Sequence, residues 1–173
     1  WNAGVFIEYD RENDVLKKLK LRSVDTGAGL ERLSVILQKK HSVFETTLFF
    51  PLLERLEKLS KTSYQDHKKA MHIILDHFRA SCFLINDGVI PSKMDRGYVL
   101  RRLIRRAVKY SNQIGIKREG FSVLIKDMHA LYPSINTTLI NRVFDEEYGR
   151  FFRALQKGNR IFESVVQELK EKK

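Results

Sequence analysis

The chain has 173 residues, of which 43% are hydrophobic, enough for one globular domain or two small ones. Thirty-two Lys and Arg face 21 Asp and Glu, so the formal net charge is +11. This charge favours nucleic acid as a partner ahead of an anionic membrane surface; a solvated basic surface or an acidic protein partner are the alternatives. No apolar run of about 18 residues is present, which excludes a membrane-spanning helix, and we expect no membrane partner.

The amino terminus and the cysteine content bear on processing and compartment. The chain lacks an initiator Met and the pattern of a signal peptide, so we expect it to begin inside a longer protein. Its single cysteine, Cys82, cannot form a disulfide within the chain, which fits a reducing compartment. Cys82 has no Cys or His at a ligand spacing, and His67 and His72 are five residues apart, so we expect no metal site.

The extended patterns fall in the first 40 residues. Residues 5–9 and 15–24 are predicted as strands, joined by a turn over 10–14, that can pair as a hairpin. A helix is expected from Gly29 to about Lys39, with Leu30, Leu33, Ile36 and Leu37 on one side.

The segment SVDTGAGLERL, residues 23–33, joins the second strand to this helix. Gly27 and Gly29 allow a ligand to approach the backbone closely, because glycine has no side chain. Asp25 offers a carboxylate that can hold an ammonium group, and Arg32 a guanidinium that can hold phosphate. The alternative is a connection that needs small residues only for packing, since neither the dinucleotide fingerprint nor a phosphate loop is complete here.

Beyond residue 40 the pattern is helical almost throughout. Pro51 implies that the first of these helices either begins near that residue or is kinked there. The fold class is therefore α+β and predominantly α-helical. The expected helices cover about 47–60, 65–85, 95–113, 120–132 and 136–145, followed by a long helical pattern over 145–173 that Gly158 could interrupt.

Apolar residues of the carboxyl-terminal pattern repeat at alternating spacings of four and three. This repeat favours packing against other helices of the same chain, with a coiled-coil seam as the alternative. Its members are Phe144, Tyr148, Phe151, Leu155, Phe162, Val165 and Leu169.

The helix expected over 95–113 has an apolar and a cationic face. No acidic residue stands three or four positions from its cations, and like charges at this spacing repel. We therefore expect an external anion such as nucleic-acid phosphate, the alternative being salt bridges to the acidic run 145–147. The apolar face holds Val99, Leu100, Leu103, Ile104, Ala107 and Val108, and the cationic face holds Arg101, Arg102, Arg105, Arg106 and Lys109.

A histidine also lies on an apolar stripe, in the preceding helix. His77 shares that stripe with Ile74, Phe78 and Ser81. A histidine in this setting is more typical of a hydrogen-bonded core residue than of a catalyst, and we expect the former.

Several of these segments, in this order, resemble the alanyl-tRNA synthetase family of class II. Residues 1–9, WNAGVFIEY, are similar to the strand before the family's third class II signature, and residues 23–33 are similar to the signature itself. The segments DHFRAS, DGVIPS and RGYVLRRLIRRA, at 76–81, 87–92 and 96–107, resemble its tRNA-recognition helices. The resemblance implies that residues 1–40 end a class II catalytic core and that 41–173 form a helical tRNA-recognition domain.

The resemblance also implies an activity. The family is cytoplasmic, activates alanine with ATP, with Mg²⁺ in the full-length enzyme, and transfers it to the 3′ end of tRNA(Ala). Arg32 would hold ATP and Asp25 the amino group of alanine, both as catalytic residues, while Gly27 and Gly29 would floor the pocket. The first two class II signatures lie outside this chain, so we expect the chain alone not to form alanyl-adenylate.

Two further sets of residues receive roles from the resemblance. Trp1 and Asn2 would line the alanine and ATP pocket. The tRNA acceptor stem would meet the loop and the basic helix through Lys93, Arg96, Arg101, Arg102, Arg105, Arg106 and Lys109.

Lys93 departs from the family's pattern, which commonly has Asn at this position. That Asn is implicated in reading the G·U pair of the acceptor stem from the minor groove. An ammonium group only donates hydrogen bonds and cannot reproduce the donor and acceptor pair of an amide, so Lys93 can contact phosphate instead. Two other functions stay open: a non-catalytic helical RNA-binding module, and a protein-interaction module that uses the apolar repeat of 144–169.

Overall fold

A computed structural model describes residues 6–24 and 27–171. The chain divides into two compact units between Leu48 and Phe49. In the described residues the first unit holds a two-stranded antiparallel sheet, one short α-helix and a single 3₁₀ turn, and the second holds five α-helices. The α+β, mostly helical fold class is confirmed. The boundary expected near residue 40 precedes this division.

The hairpin consists of β1 (Phe6–Glu12) and β2 (Val15–Val24). Its turn is only two residues long, because Asn13 and Asp14 both adopt positive φ, at 49° and 60°. Such a turn matches the twist of paired strands, and Asn and Asp tolerate it better than most residues. The five-residue turn predicted over 10–14 is therefore wrong, and its first three residues extend β1.

Helix α1 (Leu30–Leu37) follows the glycine-containing connection as predicted. It ends two residues early, where Lys39 takes a left-handed φ of 52°. A reciprocal pair of hydrogen bonds holds the next loop: the Thr47 amide donates to Gln38 Oε1 and Gln38 Nε2 donates to Thr47 Oγ1, both at 3.0 Å.

The second unit is a bundle of five helices. Pro51 lies in the first turn of the first of them, where no backbone donor is needed, so the helix begins there and is not kinked. The helices expected over 136–145 and 145–173 are in fact one, because a single helical glycine such as Gly158 costs only about 1 kcal/mol. The bounds are α2 (Phe50–Ser60), α3 (Tyr64–Asn86), α4 (Asp95–Gln113), α5 (Arg118–Leu131) and α6 (Thr137–Glu171).

An aromatic cluster in the core of this unit joins α3, α5 and α6. The rings of Phe78, Phe121 and Phe144 contact one another with centroids 5.5 to 6.2 Å apart. Cys82 on α3 is fully buried, as expected for a small apolar residue, and burial raises the pKa of its thiol. None of the described helices is long and apolar enough to cross a membrane.

The apolar repeat of α6 is covered only at its start. Phe144 and Tyr148 are buried within the bundle, which confirms packing within the chain for the first turns. Phe162 and Leu169 are 68% and 61% exposed. The bundle therefore accounts for the first half of the repeat and leaves the second half open.

Candidate functional site

The glycine segment is described from Gly27 onward. Asp25, Trp1 and Asn2, to which the resemblance gives roles, lie outside the described residues. A Cβ added at Gly27 would meet nothing within 4 Å, and one at Gly29 would touch only the side chain of Arg32, at 3.6 Å. Gly29 has a φ of −68°, which any residue can adopt. Among the described residues, packing therefore gives no reason for glycine here, and the backbone borders open space.

Arg32 lies on the first turn of α1 and is exposed. Its side chain makes no hydrogen bond or ion pair with another residue of 6–24 or 27–171. Its guanidinium donors therefore remain available for an anion beside the open glycine backbone.

The cationic face of α4 is mostly without carboxylate partners. Arg102, Arg106 and Lys109 are exposed and Arg101 is half-buried. The guanidiniums of Arg101 and Arg102 lie over the ring of Tyr98, 5.8 and 5.7 Å from its centroid. No carboxylate in the described parts of the chain pairs with these four cations, so their N–H donors can bind an outside anion.

Arg105 differs from its neighbours on α4. Its Nε donates a 2.6 Å hydrogen bond to Oε1 of Glu147, whose side chain is only 2% exposed. Of the acidic run 145–147, Asp145 pairs with Arg118 and Glu146 with Arg150. The salt-bridge alternative is therefore correct for Arg105 and Glu147 and does not extend to the rest of the cationic face.

The loop before α4 is fixed against that helix at Gly97. The Ser92 amide donates to the Gly97 carbonyl at 3.0 Å, and Ser92 Oγ donates to the Met94 carbonyl at 2.7 Å. A Cβ at Gly97 would overlap the Ile90 carbonyl oxygen and lie 2.8 Å from Ser92 Cβ. This close approach holds the exposed Lys93 at the amino-terminal end of α4.

Arg96 is exposed but does not share the face of the other cations. At 3.6 residues per turn it lies roughly 120° around the helix from Arg102. The structure therefore places Lys93 and Arg96 at the start of α4 and groups Arg101, Arg102, Arg106 and Lys109 along its length.

A small groove opens on the same helix. Val99, expected on the core face, is 52% exposed and lines this cavity of about 270 Å³ with Leu103, Arg102 and Arg106. His77 borders it and makes a 2.8 Å contact from Nδ1 to Asp76 Oδ2. The hydrogen bond expected for His77 is present, although the residue lies at a groove and not in the core.

A second group of arginines was not singled out by sequence reasoning. Arg142, Arg150 and Arg153 lie along one side of α6, and Arg118 of α5 joins them around an open cavity. The spacing on α6 was readable from the sequence, but nothing local brings Arg118 to the same place. In the described ranges no cluster of three or more His, Cys, Asp or Glu could hold a metal ion.

A helix with exposed, unpaired cations is typical of a surface that binds a polyanion. Comparison with known proteins gives the class. The family of class II (A) tRNA synthetases matches residues 1–173, and the chain belongs to that family.

Three similar relatives are each named Alanine--tRNA ligase. The Alanine--tRNA ligase of Saccharophagus degradans is 39% identical over 177 residues, covering 98% of this chain and 20% of that protein. The Alanine--tRNA ligases of Borreliella afzelii and Stenotrophomonas maltophilia are 37% and 41% identical, covering 99% and 96% of this chain and 31% and 19% of their own lengths. The chain thus spans about a fifth to a third of these relatives.

Proposed function

We propose that this chain is part of an alanyl-tRNA synthetase, which activates alanine with ATP and attaches it to tRNA(Ala). Membership of the class II family and the similarity to alanine--tRNA ligases over nearly the whole chain support this. RNA binding by this chain is supported above all by one observation: the cations along α4 lack a carboxylate partner in the described structure. The single buried Cys82 fits the reducing cytoplasm of such an enzyme.

The first unit contributes to the activation step. Arg32 binds the phosphates of ATP, Asp25 holds the ammonium of alanine, and Trp1 and Asn2 line the pocket. The open space at Gly27 and the unused donors of Arg32 support this arrangement. Catalysis of this kind depends on positioning and on stabilising developing charge, and needs no protein nucleophile. In the full-length enzyme Mg²⁺ accompanies ATP.

The second unit binds the acceptor stem. Arg101, Arg102, Arg106 and Lys109 contact backbone phosphates, with Lys93 and Arg96 contributing at the start of α4. Arg105 instead links α4 to α6 beneath this surface, because its Nε donates a hydrogen bond to Glu147. A guanidinium matches the two oxygens of a phosphate with parallel hydrogen bonds, which explains an arginine-rich surface.

The double variant Arg102→Gln/Arg106→Gln tests the α4 surface. Binding of an acceptor-stem hairpin of tRNA(Ala) should weaken about tenfold at low salt, and the slope of log K against log salt should fall by about 2, one per lost phosphate contact. Fluorescence anisotropy over a salt series measures both.

The matched control is Lys69→Gln/Lys126→Gln, which removes the same charge from exposed positions on α3 and α5. Equal affinity of the two double variants at low salt would rule out α4 as the RNA surface.

A second candidate is a protein-interaction module. The exposed Phe162, Val165 and Leu169 of α6 favour it and would produce concentration-dependent sedimentation.

Arg32→Ala in the full-length protein separates an enzyme from a module that only binds RNA or protein. The enzyme loses adenylate formation and the module loses nothing.

A further inference from the structure

A second cationic site lies between α5 and α6. Arg118 begins α5, and the other lining residues stand on α6 around an open cavity of about 500 Å³. Four guanidiniums face two carboxylates there: Arg118, Arg142, Arg150 and Arg153 against Asp145 and Glu146.

The two carboxylates position two of the arginines. Arg118 Nε donates to Asp145 Oδ1 at 2.8 Å, and Arg150 Nη2 donates to Glu146 Oε2 at 3.1 Å. Asp145 also raises the pKa of Arg118, so that guanidinium keeps its charge. Because each acid is already bonded to an arginine, the net charge that the cavity offers a ligand is positive.

The other two arginines have no acid to bind. Arg142 and Arg153 are exposed and pair with no carboxylate in the described part of the chain. Eleven residues separate them, so they stand on the same side of α6 about 16 Å apart along its axis. Gly149 lies between them, and a Cβ there would be 3.4 Å from Arg153 Nη1. The Arg153 guanidinium therefore lies against the helix over this glycine.

This site does not belong to the α4 surface. Glu147 and Phe151, which contact Arg105 of α4, lie roughly 140° and 180° around α6 from Arg142. Toward the carboxyl terminus of α6, Lys157 and Arg160 lie on the same side of the helix as Arg142 and Arg153, and both are exposed. These four cations thus form a line along one side of α6, about 27 Å long, in which Lys157 is offset by roughly 60° from Arg142.

We propose that this line, from Arg142 to Arg160, is a second binding site for the sugar-phosphate backbone of RNA, with Arg142 and Arg153 contacting separate phosphates. A row of unpaired cations this long fits a linear polyanion better than a compact one, and guanidinium forks suit phosphate oxygens. The identity of the RNA as a tRNA rests on the proposed function. The phosphate contacts do not depend on it.

Arg142→Gln/Arg153→Gln tests this site with a full tRNA(Ala) transcript over a salt series. Affinity at low salt should fall about tenfold and the salt slope by about 2. The Lys69→Gln/Lys126→Gln control should leave both unchanged. Arg142→Lys/Arg153→Lys keeps the charge but loses the forked geometry, so its RNA affinity should lie between those of the other two variants. An intermediate affinity would show that the loss with Gln is not caused by a folding defect.

The outcomes separate the two proposals. Loss with Arg102→Gln/Arg106→Gln but not with the α6 variant overturns this inference and leaves the α4 surface in place. Loss of RNA affinity with the α6 variant alone supports this inference and overturns the α4 surface. If neither variant loses affinity, both proposals are overturned. Calorimetry with inorganic tripolyphosphate adds a third arm: if the α6 variant loses tripolyphosphate but keeps its RNA affinity, the site holds a small anion and the RNA proposal is overturned.

Discussion

Arg105 and Arg106 are adjacent and chemically identical, but they have different partners. Arg105 donates to the nearly buried Glu147, whereas Arg106 is exposed, with its guanidinium 6.0 Å from the ring centroid of Tyr110. A buried carboxylate that loses its partner keeps its desolvation penalty, while an exposed guanidinium has no such penalty. One cation of α4 therefore stabilises the fold and the next can bind a ligand.

Arg105→Gln should accordingly lower the free energy of unfolding by about 1–3 kcal/mol. The effect stays in this range because Arg105 is partly exposed and Arg150 Nη1 remains 3.7 Å from Glu147. Arg106→Gln should change stability by less than about 0.5 kcal/mol. Urea unfolding measures both, and similar losses in the two variants would contradict the division of roles.

Gly97 and Gly158 are both helical glycines with opposite surroundings. Gly97→Ala should destabilise the protein by about 1–3 kcal/mol, because its Cβ would collide with the Ile90 carbonyl and Ser92. It should also displace the loop that holds Lys93 and weaken RNA binding. Gly158→Ala is the control: nothing lies within 4 Å, so stability should rise by about 0.5–1 kcal/mol. Thermal unfolding decides, and a neutral Gly97→Ala would show that the loop does not depend on this contact.

At the scale of elements, α4 and α6 show what periodicity can and cannot predict. The pattern of α4 correctly predicted its bounds and its cationic face. It placed Val99 in the core, yet this residue lies at a groove, because periodicity identifies an apolar side without showing how far the neighbouring helix covers it. The apolar repeat of α6 likewise continues beyond the bundle, and the helix runs through Gly158 for 35 residues, about 52 Å.

At the scale of the whole molecule, the prediction concerns how much of adenylate formation this chain supports by itself. The resemblance assigns it the third class II signature, and the chain spans about a fifth to a third of its relatives. The 173-residue chain should therefore bind RNA yet show no ATP–pyrophosphate exchange above background. A full-length alanine--tRNA ligase assayed beside it is the positive control. Exchange well above background would mean that the chain carries a complete activation site.

The sequence by itself determined the hairpin, most of the helices and the motifs of a class II synthetase, since turn chemistry and periodicity depend on residues a few positions apart. Tertiary structure alone decided that Glu147 binds Arg105 across 42 residues and that Arg118 joins the arginines of α6. It also decided which half of the α6 repeat is covered. Such pairings depend on which distant segments come into contact when the chain folds, and local sequence patterns do not specify those contacts.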